Sequence, residues 1–306
     1  FISHKLDEVL AIADRITVLR KGKVVASLAR KETTAKQLAE LMVGQFKERR
    51  PKLARELGKP QLELRQVWAK GARGVDALKD LSFKLHEGEI LGVAGVAGNG
   101  QAELIEILTG LRHASKGSII LEERDITKLD AKGLFEAGVA HIPEDRNHMG
   151  IVPSMTVAEN LVLRQYRYPP FAQGPMLNWQ AVEDFAETSI VSYEVATPSQ
   201  ETKTRLLSGG NVQKVILARE LSGEPKLVVA SHPTYGLDVS ATALTHDLLL
   251  KQREAGAAVL LVSEDLDELL SLADNILVLF AGSMMDIVQT DQVSREQIGL
   301  MMAGTH

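Results

Sequence analysis

The sequence predicts an α/β chain, and three observations carry that prediction. Short apolar runs such as KLVVA (226–230) and AAVLLVS (257–263) lack period-two alternation, so they read as strands buried on both faces. Segments with apolar residues at helical spacing, such as 211–221 and 241–254, lie between them. Glycine-rich turns join strand to helix. Such interleaving builds a mostly parallel sheet covered on both faces. The composition agrees: 306 residues, 45% hydrophobic and 25% charged, is ordinary for a folded chain of about two domains. A net charge of −5 with no basic excess gives no nucleic-acid surface. The absence of cysteine excludes disulfides and thiolate metal sites. The longest apolar stretch, near 276–285, is interrupted by Gly282 and Ser283, well short of the roughly 18 apolar residues a membrane span needs.

The first element is a repeat. Sliding the sequence along itself gives one strong ungapped register, at an offset of 260. It lays FISHKLDEVLAIADRITVLRKG (1–22) over LVSEDLDELLSLADNILVLFAG (261–282). Eleven of those 22 positions are identical, among them Ser3/Ser263, Glu8/Glu268, Ala13/Ala273 and Asp14/Asp274. Gln37/Gln297, Met42/Met302 and Gly44/Gly304 continue the register. Shared amphipathic patterning does not produce identity at half the positions. Residues 1–50 are therefore expected to be the tail of a first copy, with the body of that copy upstream, and 61–306 a second copy. The charged stretch 51–60, bracketed by Pro51 and Pro60, reads as the linker.

Beyond the linker, LELRQVW (62–68) and ALKDLSFKLHEGEILGVAG (77–95) read as strands turning at Glu87 and Gly88. Gln101–Leu108 is a helix with Leu104, Ile105 and Leu108 apolar, and SIILEER (118–124) a short strand. Helices over 160–165 and 179–191 are split by the proline-rich loop YRYPPFAQGP (166–175). A helix over 211–221, a strand over 226–230, a helix over 241–254 and a strand over 257–263 complete the pattern.

Two loops carry the chemistry. Gly95, Val96, Ala97, Gly98, Asn99, Gly100, Gln101 and Ala102 follow an apolar strand and open a helix. In that setting glycines let backbone N–H groups approach a phosphate at a helix N-terminus. The full phosphate-loop pattern has Lys and then Ser or Thr after the last glycine. Here those positions hold Gln101 and Ala102, so the loop by itself is equally a tight turn or a dinucleotide loop. The second is Leu207, Ser208, Gly209, Gly210 and Asn211, ahead of an apolar-periodic helix. Alone it is also a helix N-cap on a flexible loop.

In this order and spacing the two loops resemble those of the ATP-binding subunits of ABC transporters, whose signature is LSGGQ or a near variant. The resemblance covers essentially the whole chain. GVAGNGQAEL, HIPEDR, LSGGNVQK and ARELSGEPKL are similar in particular to the second domain of fused two-domain importers of simple sugars or nucleosides. The glutamine-bearing loop favours the nucleoside-type branch. The resemblance implies a P-loop NTPase-type ABC ATPase fold for 61–306, with a mixed sheet core, an antiparallel β subdomain and a helical subdomain over about 147–222. A fragment of a first such domain precedes it.

The resemblance also assigns positions. Ser231 and His232 stand where the family has the Walker B Asp and Glu. Gly236, Leu237 and Asp238 match the D-loop, and Glu144 the Q-loop position. Glu264 stands at the switch His, and the repeat lays His4 over it, which makes His4 the switch residue of the first copy. A stacking aromatic for adenine is expected before Ala77, and only Ala72 stands near. His232 is more simply a structural residue than a base or ligand, and no metal site is expected on this chain's own loop.

The family pairs its two ATPase domains head to tail, each ATP lying between one domain's phosphate loop and the other's signature. The resemblance thus implies one working site, with ATP and Mg²⁺ on the first copy's loop, His4 beside them and the signature of the second copy opposite. The site on 95–102 is degenerate, and residues 1–306 alone are not expected to turn over ATP. The implied partners are transmembrane permease subunits, a periplasmic or lipoprotein solute-binding protein acting through them, and the first ATPase domain of the same polypeptide; nucleic acid is not among them. The implied location is peripheral, on the cytoplasmic face of the membrane. Two rivals are a non-transport ABC ATPase module, against which PEDR and the one-sided loss of catalytic residues speak, and a non-hydrolytic regulatory nucleotide-binding domain.

Overall fold

The computed structural model describes residues 1–2, 6–20, 22–43 and 57–305. His4 and residues 51–56 of the linker lie outside them. In chain order, α1 (Leu6–Ile12), β1 (Arg15–Arg20), β2 (Lys23–Ala29) and α2 (Ala35–Val43) form a small unit. Then come β3 (Pro60–Lys70), β4 (Asp76–His86), β5 (Ile90–Ala94), α3 (Gln101–Leu108), β6 (Lys116–Leu121), β7 (Arg124–Asp125), α4 (Ala131–Glu136) and β8 (Val139–Ile142). A helical stretch follows with α5 (Val157–Val162), the short hairpin β9 (Ala172–Gln173) and β10 (Met176–Leu177), α6 (Trp179–Ser192) and α7 (Gly209–Leu221). The chain returns through β11 (Leu227–Ser231), α8 (Val239–Glu254), β12 (Ala258–Val262), α9 (Leu266–Leu272), β13 (Asn275–Phe280), β14 (Ser283–Gln289) and α10 (Arg295–Met302).

The uninterrupted apolar runs become the middle of a six-stranded sheet of order β14-β13-β5-β12-β11-β8. All its pairings are parallel except β13 with β14, which makes the sheet mixed. Every residue of β5, β11 and β12 is buried, which is why these strands show no alternation. Leu227, Val229, Leu260 and Leu277 face α3 and an antiparallel sheet of order β4-β3-β6-β7. Val228, Ala230, Val259, Leu261 and Ile276 face the other way, onto Val212, Ile216, Leu249, Leu269 and Ile298 of α7 to α10. A third cluster, with Val157, Leu161, Val182, Ala186 and Val215, binds α5, α6 and α7 into a helical layer.

Three boundaries differ from the sequence reading. The helix expected over 160–165 starts at Val157, because Thr156 and Glu159 form a capping box: Glu159 N–H donates to Thr156 Oγ1 at 3.1 Å and Thr156 N–H to Glu159 Oε2 at 2.6 Å. The strand expected over 118–124 breaks at Glu122 and Glu123, which turn at φ of 46° and 68° into β7. The proline-rich loop contains the β9–β10 hairpin. β3 begins at Pro60, where the missing N–H takes no ladder bond.

The small unit has a core of Ile16, Val18 and Leu38, and α2 rests against β1 and α8. Among the described residues, β1 pairs with β2 alone.

Candidate functional site

The candidate sites are two, the loop after β5 and the start of α7. The first grows from β5. Its chain turns through Gly98 and Gly100, at φ of 88° and 106°, into α3. Gly100 is needed twice over: a Cβ there would sit 2.6 Å from Leu78 Cδ2 and 2.8 Å from Ala77 O. Asn99 pins the loop to the β13–β14 turn, its Oδ1 accepting from Ala281 N–H at 3.0 Å. The loop is thus fixed at both ends, and α3 starts on Gly100 without a side-chain cap, leaving its first N–H groups unbonded to side chains. The side chains are another matter. Gln101 folds back across the loop, Nε2 donating to Val96 O at 3.2 Å and lying 2.4 Å from where a Gly95 Cβ would be. Its Oε1 is buried without a hydrogen-bond partner. Ala102 offers no oxygen.

The end of β11 carries no acid either. Ser231 closes β11 and is buried. His232 takes φ of 43°, and its N–H extends the sheet by donating to Val262 O at 2.8 Å. Among the described residues its ring has no hydrogen-bond partner, and no three His, Asp or Glu side chains are grouped to hold a metal. Glu264, expected at the switch position, is exposed after β12, and Asp265 caps α9 by accepting from Asp267 and Glu268 N–H.

The sequence reading missed the best-built feature here. Glu268 is buried and accepts from Ser263 Oγ at 2.6 Å, Thr234 Oγ1 at 2.7 Å and the His246 ring at 2.8 Å. Burial pushes its carboxyl up, and the hydrogen bonds from His246, Ser263 and Thr234 outweigh that, leaving it below the usual carboxylate range. The network joins the loop after β11, the loop after β12 and the middle of α8. One signal pointed to it: Ser263 and Glu268 are both identical in the repeat, to Ser3 and Glu8.

The second site is the start of α7. Ser208 is the N-cap residue, and its hydroxyl makes no cap bond, accepting instead from Asn211 Nδ2 at 3.0 Å. Asn211 Oδ1 in turn accepts from Ala196 N–H at 2.8 Å, so the fifth signature residue orients the second. Ser208 and Gly209 are exposed. The first-turn N–H groups therefore face outward at the positive end of a 13-residue helix. Gly236, at φ of 65°, leads through buried Leu237 to Asp238, which caps α8 by accepting from Ala241 N–H at 2.9 Å. Gly210 lies against Ala241 and near Asp238, so the segments expected to be signature and D-loop are neighbours. Glu144 is exposed nearby, its carbonyl accepting from Arg146 N–H.

A model of the ABC transporter family matches residues 78–235, just over half the chain. The chain belongs to the ABC transporter family. Among curated relatives of this ABC chain, the guanosine import ATP-binding protein of Bacillus subtilis is 41% identical over 295 residues, covering 96% of this chain and 58% of that protein. The nucleoside import ATP-binding protein of Lactococcus lactis is 40% identical, over 99% of this chain and 60% of its own length. The chain thus spans under two thirds of the relatives it matches. A nucleotide-free ATP-binding cassette from an ABC transporter superposes with a TM-score of 0.64 at 21% identity, over 80% of this chain and 96% of that one. A dimeric cassette bound to ADP and Pi gives 0.64 at 23%, over 75% and 98%. Both show the fold: an ABC ATPase α/β domain with a mixed sheet and a helical layer.

Proposed function

We propose that this chain is the carboxy-terminal part of a fused two-domain ATPase that drives an importer of nucleosides or simple sugars, and that its second domain works chiefly by presenting its signature to a nucleotide held by the first. The observation that carries the reading is the contrast between the two sites. The signature is intact, exposed and internally oriented through Asn211. The chain's own loop is crossed by Gln101 and has no Lys, side-chain Mg²⁺ ligand or general base. Mg²⁺ does not fit there, since Ala102 has no side-chain oxygen and no carboxylate stands at Ser231 or His232. ATP and Mg²⁺ belong on the first copy's loop. Toward that nucleotide, Ser208 and the first N–H groups of α7 would donate to the terminal phosphate, with His4 on the opposite side.

Further support comes from a groove of about 510 Å³ between sheet and helical layer, lined among others by Phe135, His141, His148, Met149, Arg167 and Tyr168. It suits a helix of a permease subunit. Among the described residues no helix is long and apolar enough to cross a membrane, so such a partner would supply the span and hold this chain at the cytoplasmic face. A solute-binding protein would act only through that permease.

Magnesium-dependent phosphate release tests the reading. It should be at background for residues 1–306 and present in the complete two-domain protein, where Ser208→Arg should abolish it by blocking phosphate approach. Turnover by the isolated chain that survives Ser208→Arg would sink it.

A further inference from the structure

Arg146, the last residue of PEDR, sits where three loops meet. Its Nη2 donates to Tyr235 O, just before the D-loop, at 2.6 Å. A Cβ built on Gly209, the first residue of α7, would lie 3.8 Å from Arg146 Nε and 3.9 Å from Cζ. One built on Gly236 would lie 3.1 Å from Nη2. The guanidinium thus stands within van der Waals reach of a side chain at position 209 and would crowd one at position 236. The nearby acids serve other bonds: Asp145 accepts from Asn147 and His148 N–H, and Asp238 from Ala241 N–H. The bond to Tyr235 is a charged donor on a neutral carbonyl, a strong kind of link for a loop junction.

The same residue opens the five-residue turn Arg146–Gly150, whose far end belongs to the groove. His148, Met149 and Gly150 line that groove. Gly150 is wedged against α7, where an added Cβ would lie 2.4 Å from Ile216 Cδ1. The turn is therefore packed against α7 at Ile216 through Gly150, with the Arg146 guanidinium beside the helix's first residue, Gly209. A packed contact of this kind moves as a body and does not bend gradually.

We propose that Arg146 is a positioning residue that holds the signature loop and the D-loop as one unit and ties that unit to the groove, so that a partner seated in the groove moves both loops at once. The functional half rests on the reading above, that the groove takes a permease helix and the signature faces another domain's nucleotide.

Hydrogen–deuterium exchange of this chain, combined with ATP turnover of the complete protein with its permease, tests it. Arg146→Ala should speed exchange in 207–212 and in 234–239 together, by about tenfold, the effect of losing one hydrogen bond to a charged group, with β11 unchanged. It should lower permease-stimulated turnover by about tenfold at unchanged KM for ATP. Arg146→Lys keeps one donor for Tyr235 O and should restore both. Faster exchange in only one loop, or in neither, overturns the proposal. So does stimulated turnover equal to wild type while both loops exchange faster. Should Arg146→Ala speed β11 as well, a sign of unfolding, Arg146→Gln provides the same comparison with the side chain retained to its δ-carbon. Ser208→Arg separates the two readings: if it leaves turnover intact the signature reading fails, and the exchange data still decide the junction.

Discussion

Residues 6–43 and 266–302 share a pattern at an offset of 260, and locally they fold alike. α1 lies over α9, β1 over β13, β2 over β14 and α2 over α10, with matching first residues. Even the irregularity is shared: the hairpin register slips between Val18 and Leu19 in one and between Val278 and Leu279 in the other. The surroundings differ. β13 lies between β14 and β5, whereas β1 has β2 alone among the described residues. Leu279 is fully buried and Leu19 is 64% exposed; Leu272 is 3% exposed and Ile12 is 69%. Hairpin and flanking helices are thus specified by local sequence, while burial comes from a sheet. Leu19 and Ile12 are apolar residues left exposed where their counterparts are covered.

The comparison breaks most decisively at the switch position. If the first copy supplies catalysis and the second the signature, His4→Ala in the complete protein should lower ATP turnover by about 10²–10³-fold, as removal of one electrostatic stabiliser does. Glu264→Ala, at the matching position, should stay within about twofold. Equal losses at both would remove the asymmetry on which the one-site reading stands.

A second test concerns burial. Leu279→Ala should destabilise this chain by about 2–5 kcal/mol in urea unfolding, the cost of emptying a packed core site. Leu19→Ala should stay within about 0.5 kcal/mol here, as surface changes do. In the complete protein Leu19→Ala should approach the cost of Leu279→Ala. If it stays neutral there, β1 does not join a sheet as β13 does.

How far the sequence shows these features follows from the same physics. Strands covered on both faces leave an uninterrupted apolar run, so β5, β11 and β12 are readable to within a residue or two, as is α3 after its glycines. β8 is not: it is four residues at a sheet edge, with His141 in the middle. Of the site, the glycine spacing of 95–100 is visible because backbone conformation demands glycine at 98 and 100; the run Leu207–Asn211 is visible as a motif only. The Glu268 network is hidden because Thr234, His246 and Ser263 come from three elements that only the folded sheet brings together. The fold-back of Gln101 is a choice of rotamer, for which sequence holds no signal.

Acid should separate the two regions more gently. Burial pushes the His141 imidazole down to about 4; Glu220 opposes this, and Arg164 and Arg219 add to it. Residues 6–43 contain no histidine. The unfolded chain takes up this proton first, near its ordinary pKa of about 6.5. The stability His141 contributes is therefore complete above that pH and drains away as pH falls toward 4, by at most about 3 kcal/mol. Glu268, also held below its ordinary value, has the same sign and is lost at lower pH still. His141→Gln should flatten unfolding free energy against pH between about 6.5 and 4. An unchanged slope would mean that the imidazole is protonated in the folded protein.

The smallest loss is expected at Gln101, and its smallness is informative. Gln101 forms one hydrogen bond, to Val96 O, and buries one acceptor, Oε1, with no partner. Losing the first costs about 1 kcal/mol, and removing the second relieves a penalty of about 1–3 kcal/mol. Gln101→Ala should therefore leave urea unfolding unchanged or raise stability by up to about 2 kcal/mol. The change also clears the loop over Gly95 while keeping the backbone N–H groups at the start of α3. Calorimetric titration with ATP should then show tighter binding by the variant than by the parent, with both remaining well above micromolar dissociation constants because no lysine has been restored. A marked loss of stability in Gln101→Ala would make the side chain a structural strut. Weaker binding would make it a ligand of the phosphate, and the loop would then be a nucleotide site adapted to glutamine.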